Sequence, residues 1–201
     1  MSETVFDHPA LGTLTQIRGK RWVGQLHALD FPQFGWPVTL RIVFDDLDQN
    51  GRPVEPQLAK MAELMPYLDR LGRILIDGFW AEIHGEFGDS AWALGLEEFN
   101  SLQEERLQVS QPEDLARLFQ PTRAHILRSY WDKDLLDIAL LCDGTVDEEH
   151  GFVLLFDDGQ LVGSGGIGEA GRYDRFNSRA GLAHKRGMDE AARQWNERHK
   201  Q

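Results

Sequence analysis

Hydrophobic and polar residues alternate in the N-terminal part of the chain, most clearly over residues 37–44. Four apolar residues there occupy every second position: Val38, Leu40, Ile42 and Phe44. Because successive strand side chains point to opposite faces, this period of two predicts a strand with one apolar face. Weaker alternation predicts strands over residues 11–17 and 21–26. The N-terminal part therefore reads as an antiparallel meander.

A helical period follows. From Leu58 to Leu75 apolar residues recur at intervals of three and four, and Phe79 and Ile83 extend the stripe. This spacing predicts a long helix with one apolar face. Gly72 and Gly78 lie in the stripe and weaken it, so we expect a kink or a break there. A short helix is predicted over residues 111–119, which carry acidic residues in the first turn.

Four strands are predicted after the helices, over residues 124–130, 134–142, 152–156 and 160–163. The last two are joined by Asp157-Asp158-Gly159, and Asp-Gly is a strong signal for a tight hairpin turn. Strands, then helices, then strands without βαβ alternation predict the α+β class. We expect a mainly antiparallel sheet, formed by an N-terminal meander plus C-terminal strands and packed against a long helix.

The C-terminal segment differs in composition from the rest. We expect an α+β domain over residues 1–166, then a glycine-rich linker and a basic tail with a short helix over residues 167–201. Residues 172–201 contain eight Lys or Arg and four Asp or Glu, a net charge of +4. The whole chain has a net charge of −12, so the first 171 residues carry −16.

This charge argues against general nucleic-acid binding, because phosphate neutralisation needs Lys and Arg on the contacting face. It is compatible with a basic protein partner. The N-terminus lacks the pattern of a signal peptide, and no apolar stretch approaches the ~20 residues that cross a bilayer. We therefore expect no membrane association and a cytoplasmic location. The single cysteine, Cys142, lies in an apolar run and is predicted to be a buried, inert thiol.

Three short segments partly resemble functional motifs, but each lacks a feature that the motif requires. Gly166–Gly171 matches G-x-G-x-x-G, but only 30 residues follow, too few for the βαβ unit of a dinucleotide site. Asp45–Gly51 lacks the ligand order of a calcium loop and predicts a turn. Ser164 lacks a G-x-S-x-G elbow. The sequence therefore predicts no cofactor and assigns no catalytic residue.

The segment Asp147-Glu148-Glu149-His150 could supply metal ligands. Adjacent strand residues alternate in direction, so about two of the four could point together. Further ligands would have to come from His125, His84 or the turn after residue 44. The alternative is a solvated corner in which a carboxylate caps backbone amides. Asp147, Glu149 and His150 are therefore candidate binding residues only.

Aromatic residues cluster at Phe31, Phe34 and Trp36, with prolines between and beside them. Such rings pack into a core by default. If the loop that carries them is exposed, they would instead anchor a partner protein, as large aromatics do at interfaces. These three residues complete the set of candidate binding residues.

The order of these features resembles a family of uncharacterised bacterial domains of unknown function. The resemblance rests on Trp22-Val23-Gly24 and on a hairpin that begins Asp147-Glu148-Glu149-His150-Gly151 and continues through the Asp-Gly turn to Gly163. It covers roughly residues 15–166. The chain departs from the family in having Val146 before Asp147 and in its basic tail. The resemblance carries no assigned activity, but it associates some members with toxin neutralisation.

Three hypotheses follow for the function. The first is a non-enzymatic protein-binding protein, immunity-like in the sense that it neutralises a toxin, which presents an acidic surface to a basic partner. The alternative is a metal-dependent hydrolase that uses His150 with Asp147 or Glu149. The third is a structural or regulatory oligomer module.

Overall fold

The chain forms one eight-stranded sheet whose strands follow sequence order. The computed structural model describes residues 4–17, 21–31, 36–86, 92–128, 136–146 and 151–166. The strands are β1 Val5–His8, β2 Gly12–Ile17, β3 Arg21–Phe31, β4 Trp36–Phe44, β5 Phe119–Arg128, β6 Leu136–Gly144, β7 Phe152–Asp157 and β8 Gln160–Gly166. The predicted α+β class and the mainly antiparallel sheet are confirmed; β1 was not predicted.

One strand pairing is parallel, that of β4 with β5. All other neighbours pair antiparallel. Between β4 and β5 lie α1 Glu55–Ala62, α2 Leu71–Ile83 and α3 Leu96–Ser101, with 3₁₀ turns at Met65–Tyr67, Glu105–Leu107 and Pro112–Arg117. A parallel pairing requires such a crossover, because the chain must return to the starting end of the sheet. The sheet is thus two four-stranded meanders that meet at β4 and β5.

The predicted single long helix is wrong: the helical segment is divided between Ala62 and Leu71, and the break does not lie at Gly72 or Gly78, where the sequence predicts a kink or a break. Helix α1 has eight residues and α2 has thirteen. The break contains Pro66, the second residue of the 3₁₀ turn Met65–Tyr67, which lacks the N–H that a helix interior requires. Gly72 and Gly78 both lie inside α2. At Gly78 the helix approaches β8 so closely that an added Cβ would lie 2.4 Å from Cβ of Leu161.

The helices cover one face of the sheet and form the main core with it. Alternate residues of β4 point to this face and are fully or nearly buried, as the period of two predicts: Val38, Leu40, Ile42 and Phe44. Phe79 of α2 lies at the centre of an aromatic cluster, with ring centroids 4.9–6.1 Å from those of Trp92, Phe99, Phe119 and Phe152. These contacts join α2 and α3 to β5 and β7.

Helix α1 is tied to the β7–β8 hairpin by Lys60. Its ammonium group donates to the carboxylates of Glu63, at 2.6 Å, and of Asp157, which ends β7. The hairpin turn has positive φ angles at both central residues, 42° at Asp158 and 77° at Gly159. Two positive φ angles are the requirement of a type I′ turn, so the predicted Asp-Gly turn is confirmed.

The opposite face of the sheet carries the remaining strand residues; we call it the open face only because none of the described helices packs on it. Its apolar cluster consists of strand residues only, and none of the described helices contributes to it: Leu127, Ala139, Leu141, Val153, Leu155 and Val162. This cluster occupies β5 to β8. Toward β2 and β3 the open face becomes polar and basic, and the candidate site lies there.

Candidate functional site

None of the six candidate binding residues has a side chain among those that the structure describes. Asp147, Glu149, His150 and Phe34 lie outside the described residues. The backbones of Phe31 and Trp36 pair with each other where β3 meets β4, but their side chains are not among those described. The metal hypothesis and the aromatic-tip hypothesis therefore stay predictions, as do the linker and tail predicted over residues 167–201.

Two of the further metal ligands considered in the sequence, His84 and the turn after residue 44, have other partners; His125 is described below. In the described ranges no three His, Cys, Asp or Glu side chains converge on one point. His84 ends α2, and its Nδ1 lies 2.8 Å from the carbonyl oxygen of Trp80. Asp48 accepts hydrogen bonds from the backbone N–H groups of Asn50, at 2.8 Å, and Arg52, at 2.9 Å. The second of these bonds is the main cause that lowers the pKa of Asp48. The Asp45–Gly51 segment is the predicted turn.

Two residues considered in the sequence for nucleophilic chemistry, Ser164 and Cys142, are buried on the helical side of the sheet. Ser164 pairs with Leu154 in β7 and is 1% exposed. Cys142 is buried among the core residues, as predicted, and this burial raises the pKa of its thiol well above the ordinary value, with a further contribution from the charge of Asp143. Neither side chain is placed to meet a substrate at the surface.

A basic cleft of about 420 Å³ lies on the open face across β2 to β5. We call it the arginine cleft. Its polar lining consists of Arg21, Arg41, Arg123 and His125, and its apolar lining of Ile17, Val23 and Val43.

The strand register brings these residues together. Arg41 in β4 is the direct partner of Arg123 in β5, and Val43 is the direct partner of His125. In each strand the two residues are separated by one position, so both point to the open face. Strands β4 and β5 are far apart in the sequence. The helical segment that joins them brings the two strands side by side in the sheet.

Among the described residues, the positive charges of the arginine cleft are only partly compensated. The Nε of Arg21 lies 2.8 Å from a carboxylate oxygen of Asp45. Arg41 and Arg123 form no ion pair with any described residue. Two like charges stand side by side, which opposes folding unless a counter-charge binds.

His125 adds an unused polar atom to the arginine cleft. Its Nε2 is buried and has no hydrogen-bond partner in the described part of the chain. Burial is the main cause that lowers the pKa of His125; the charge of Asp45 acts in the opposite direction, and Arg123, Arg21 and Arg41 lower the pKa further. A buried polar atom without a partner costs free energy, so it would gain from a ligand that supplies one.

Sequence reasoning missed this cleft. The alternation over residues 37–44 places Arg41 only on the polar side of a strand, Arg123 precedes the predicted start of its strand, and His125 is a candidate only as a metal ligand. The sequence contains one signal for the cleft. In Arg41-Ile42-Val43 and in Arg123-Ala124-His125, the first and third residues lie on the same face of their strand, so each Arg shares a face with a second cleft residue. Nothing in the sequence shows that these two strands are neighbours.

The helical side of the sheet has the opposite charge. Residues 55–118 contain thirteen Asp or Glu and five Lys or Arg, a net charge of −8. Four of the five cations pair with carboxylates: Lys60, Arg73, Arg106 and Arg117. The fifth, Arg70, lies over the ring of Tyr67 at 5.1 Å. The cations of this segment are therefore already engaged.

Six exposed carboxylates of this segment have no ion pair among the described residues: Glu55, Asp69, Glu86, Glu97, Glu98 and Glu105. Glu86 follows α2, and Glu97 and Glu98 lie in the first turn of α3. The backbone N–H of Gly95 donates to the carbonyl of Ile83 at 2.8 Å, so α3 begins beside the end of α2. We call the region of Glu86, Glu97 and Glu98 the acidic junction.

No family model, curated protein or solved structure matches this chain. Within the described ranges, none of the helices combines the length and the apolar character needed to span a membrane.

Proposed function

We propose that this chain is a non-enzymatic protein-binding protein that docks a basic partner on its helical side. One observation carries the proposal: the cations of residues 55–118 are engaged, while six exposed carboxylates of the same segment form no ion pair among the described residues. The basic surface of a partner could form ion pairs with these six carboxylates without breaking any ion pair among the described residues. The expected compartment is the cytoplasm, and the resemblance favours toxin neutralisation as the form of the activity.

The acidic junction is the part of this side best suited to a first contact. Its three carboxylates lie where α2 ends and α3 begins, on two elements anchored in the core through Phe79 and Phe99. Surface charges held on ordered elements steer an oppositely charged partner and raise the association rate more than the final affinity. We therefore expect charge changes here to act mainly on association.

Copurification from the native host tests the proposal. Tagged wild-type protein is recovered at low and at high salt, and the bound proteins are identified. We expect a basic protein at low salt, recovered in smaller amount at high salt, because ions screen exposed charges over about 10 Å at 0.1 M. The same experiment with Glu97→Gln/Glu98→Gln is expected to recover about tenfold less partner.

The matched control places the same change in net charge on the open face. Gln25→Lys/Thr39→Lys raises the net charge by two, as the glutamate variant does, at two exposed residues of β3 and β4. Equal loss of partner in both variants would show that total charge alone matters and would contradict docking at the acidic junction. Recovery of no basic partner at either salt would contradict the proposed function itself.

A further inference from the structure

The arginine cleft on the open face is a site that the proposed function does not use. It lies on the other side of the sheet from the acidic junction, and its charge is opposite. In a chain with a net charge of −12, three arginines line one cleft of about 420 Å³, and only one of them is paired with a carboxylate among the described residues. Clefts lined by one sign of charge concentrate counter-ions.

We propose that the arginine cleft binds a phosphate group, carried as a monoester on a small, hydrogen-bonding molecule.

Charge and geometry both favour phosphate over a carboxylate. Arg41 and Arg123 are the two cations without a counter-charge in the described structure, and a phosphate dianion balances both, whereas one carboxylate balances one. Guanidinium groups bind phosphate with two parallel hydrogen bonds. The tetrahedral group also presents a third oxygen, which can meet the unused Nε2 of His125 when that atom carries a proton.

The apolar floor of the arginine cleft strengthens these contacts. Val43 lines the cleft, is 6% exposed, and pairs with Val23 of β3 on one side and with His125 of β5 on the other. Attraction between opposite charges increases where apolar groups replace water. The ion pair of Arg21 with Asp45 leaves the other guanidinium nitrogens of Arg21 able to donate to a bound anion.

A second cleft, of about 470 Å³, continues the first toward β2 and indicates the organic part of the ligand. The two clefts share Val23 and Arg41. Thr15 and Gln25 line the second cleft, and neither side chain has a hydrogen bond to another described residue. A sugar attached to a phosphate at Arg41 would find an amide and a hydroxyl there. The acidic composition of the rest of the chain disfavours a long polyanion.

Titration of the full chain with inorganic phosphate tests the anion site, with chloride replacing phosphate so that ionic strength stays constant. Backbone and arginine side-chain NMR signals report the binding. We expect saturable shifts at Arg41, Arg123 and His125, and at least about tenfold weaker binding in Arg41→Gln/Arg123→Gln, which lacks two charge-assisted contacts.

The control variant is Arg73→Gln/Arg106→Gln, which makes the same change in net charge on the helical side. It should bind phosphate as the wild type does. Absence of a saturable response in the wild type, or an equal loss in both double variants, would overturn the site. Neither result depends on whether a protein partner is found at the acidic junction.

Ribose 5-phosphate, with ribose as its control, tests the monoester. We expect ribose 5-phosphate to bind about tenfold more tightly than inorganic phosphate, through added neutral hydrogen bonds. Thr15→Val/Gln25→Leu should remove this advantage and leave phosphate binding unchanged. Equal affinities for the two ligands in the wild type would overturn the organic part of the assignment. A single-stranded oligonucleotide that binds more tightly than ribose 5-phosphate at physiological salt would overturn the small-molecule assignment.

Discussion

Arg41 and Arg123 are direct partners across β4 and β5, the one parallel pairing among the described strands. Neighbouring strands lie about 4.8 Å apart, so the two side chains leave the sheet next to each other on the open face. Neither has an ion pair in the described ranges. Sheets ordinarily place opposite charges or apolar pairs at such positions, because like charges there oppose folding. The phosphate group that we propose for the arginine cleft would supply negative charge beside this pair.

Removal of one arginine should stabilise the protein in phosphate-free buffer. We expect Arg123→Gln to raise the free energy of unfolding by on the order of 0.5 kcal/mol, because it ends the repulsion with Arg41. Urea denaturation at low salt measures the change, and added salt should shrink it. Arg106→Gln, which breaks an exposed ion pair with Glu104, is the control and should not stabilise. A destabilised Arg123→Gln would show that Arg123 has a counter-charge that is not among the described residues.

Gly78→Ala tests whether helix propensity or packing against β8 has the larger effect on stability at this position. In a free helix alanine is more favourable than glycine by about 1 kcal/mol. Here the new Cβ would lie 2.4 Å from Cβ of Leu161, so α2 or β8 must move. We therefore expect destabilisation by about 1–3 kcal/mol in thermal or urea unfolding. Leu161→Gly removes the opposing atom, so the two changes together should cost less than their sum. A stabilised Gly78→Ala protein would show that α2 does not approach β8 so closely.

Cys142 should be unreactive while the protein is folded. Thiol reagents attack the thiolate, and both burial and the raised pKa of Cys142 disfavour that form. We expect the reaction with a chromogenic disulfide reagent to be on the order of 1000-fold slower in the native protein than in urea, since only opened molecules react. Cys142→Ala gives the baseline. Rapid native labelling would place the thiol at the surface instead.

His125 should make stability depend on pH in the weakly acidic range. Burial lowers its pKa in the folded protein, so below the ordinary value of about 6.5 the unfolded chain binds a proton that the folded chain does not. Stability from this group is therefore present above pH about 6.5 and is lost as the pH falls toward the folded-state pKa. Asp45 opposes this shift, while Arg123, Arg21 and Arg41 enhance it.

Urea unfolding of the wild type and of His125→Asn between pH about 7.5 and about 5.5 measures this effect. The variant should lose less stability over that interval than the wild type. His84→Asn, which removes an exposed imidazole at the end of α2, is the matched control. Parallel curves for wild type and His125→Asn would contradict the prediction.

Local periodicity predicted the strands well, because alternation in segments such as Val38–Phe44 depends only on one buried face. The Asp158-Gly159 turn was predictable for a similar reason, since its φ requirements are local. The helical segment was predicted less well: a break was expected at Gly72 or Gly78, but the helix divides around Pro66, through which the apolar stripe continues.

The arginine cleft could not be predicted from the sequence, because it depends on the pairing of β4 with β5. Arg41 and Arg123 are brought together by a crossover in which the helices pack on the sheet. The charge of the helical side, by contrast, could be counted from the sequence. What the sequence could not show was which carboxylates already had partners, such as Glu113 with Arg73.

The parallel pairing also bears on how fast the chain folds. Each meander is built from hairpins whose contacts are near in sequence, but β4 and β5 meet only after the segment 45–118 has closed a loop. Closing such a loop costs chain entropy before the pairing repays it, and non-local pairings of this kind slow folding. We expect the pairing of β4 with β5 to be the rate-limiting step of folding. Ile42→Val or Ala124→Gly should therefore lower the refolding rate more than it raises the unfolding rate in stopped-flow measurements.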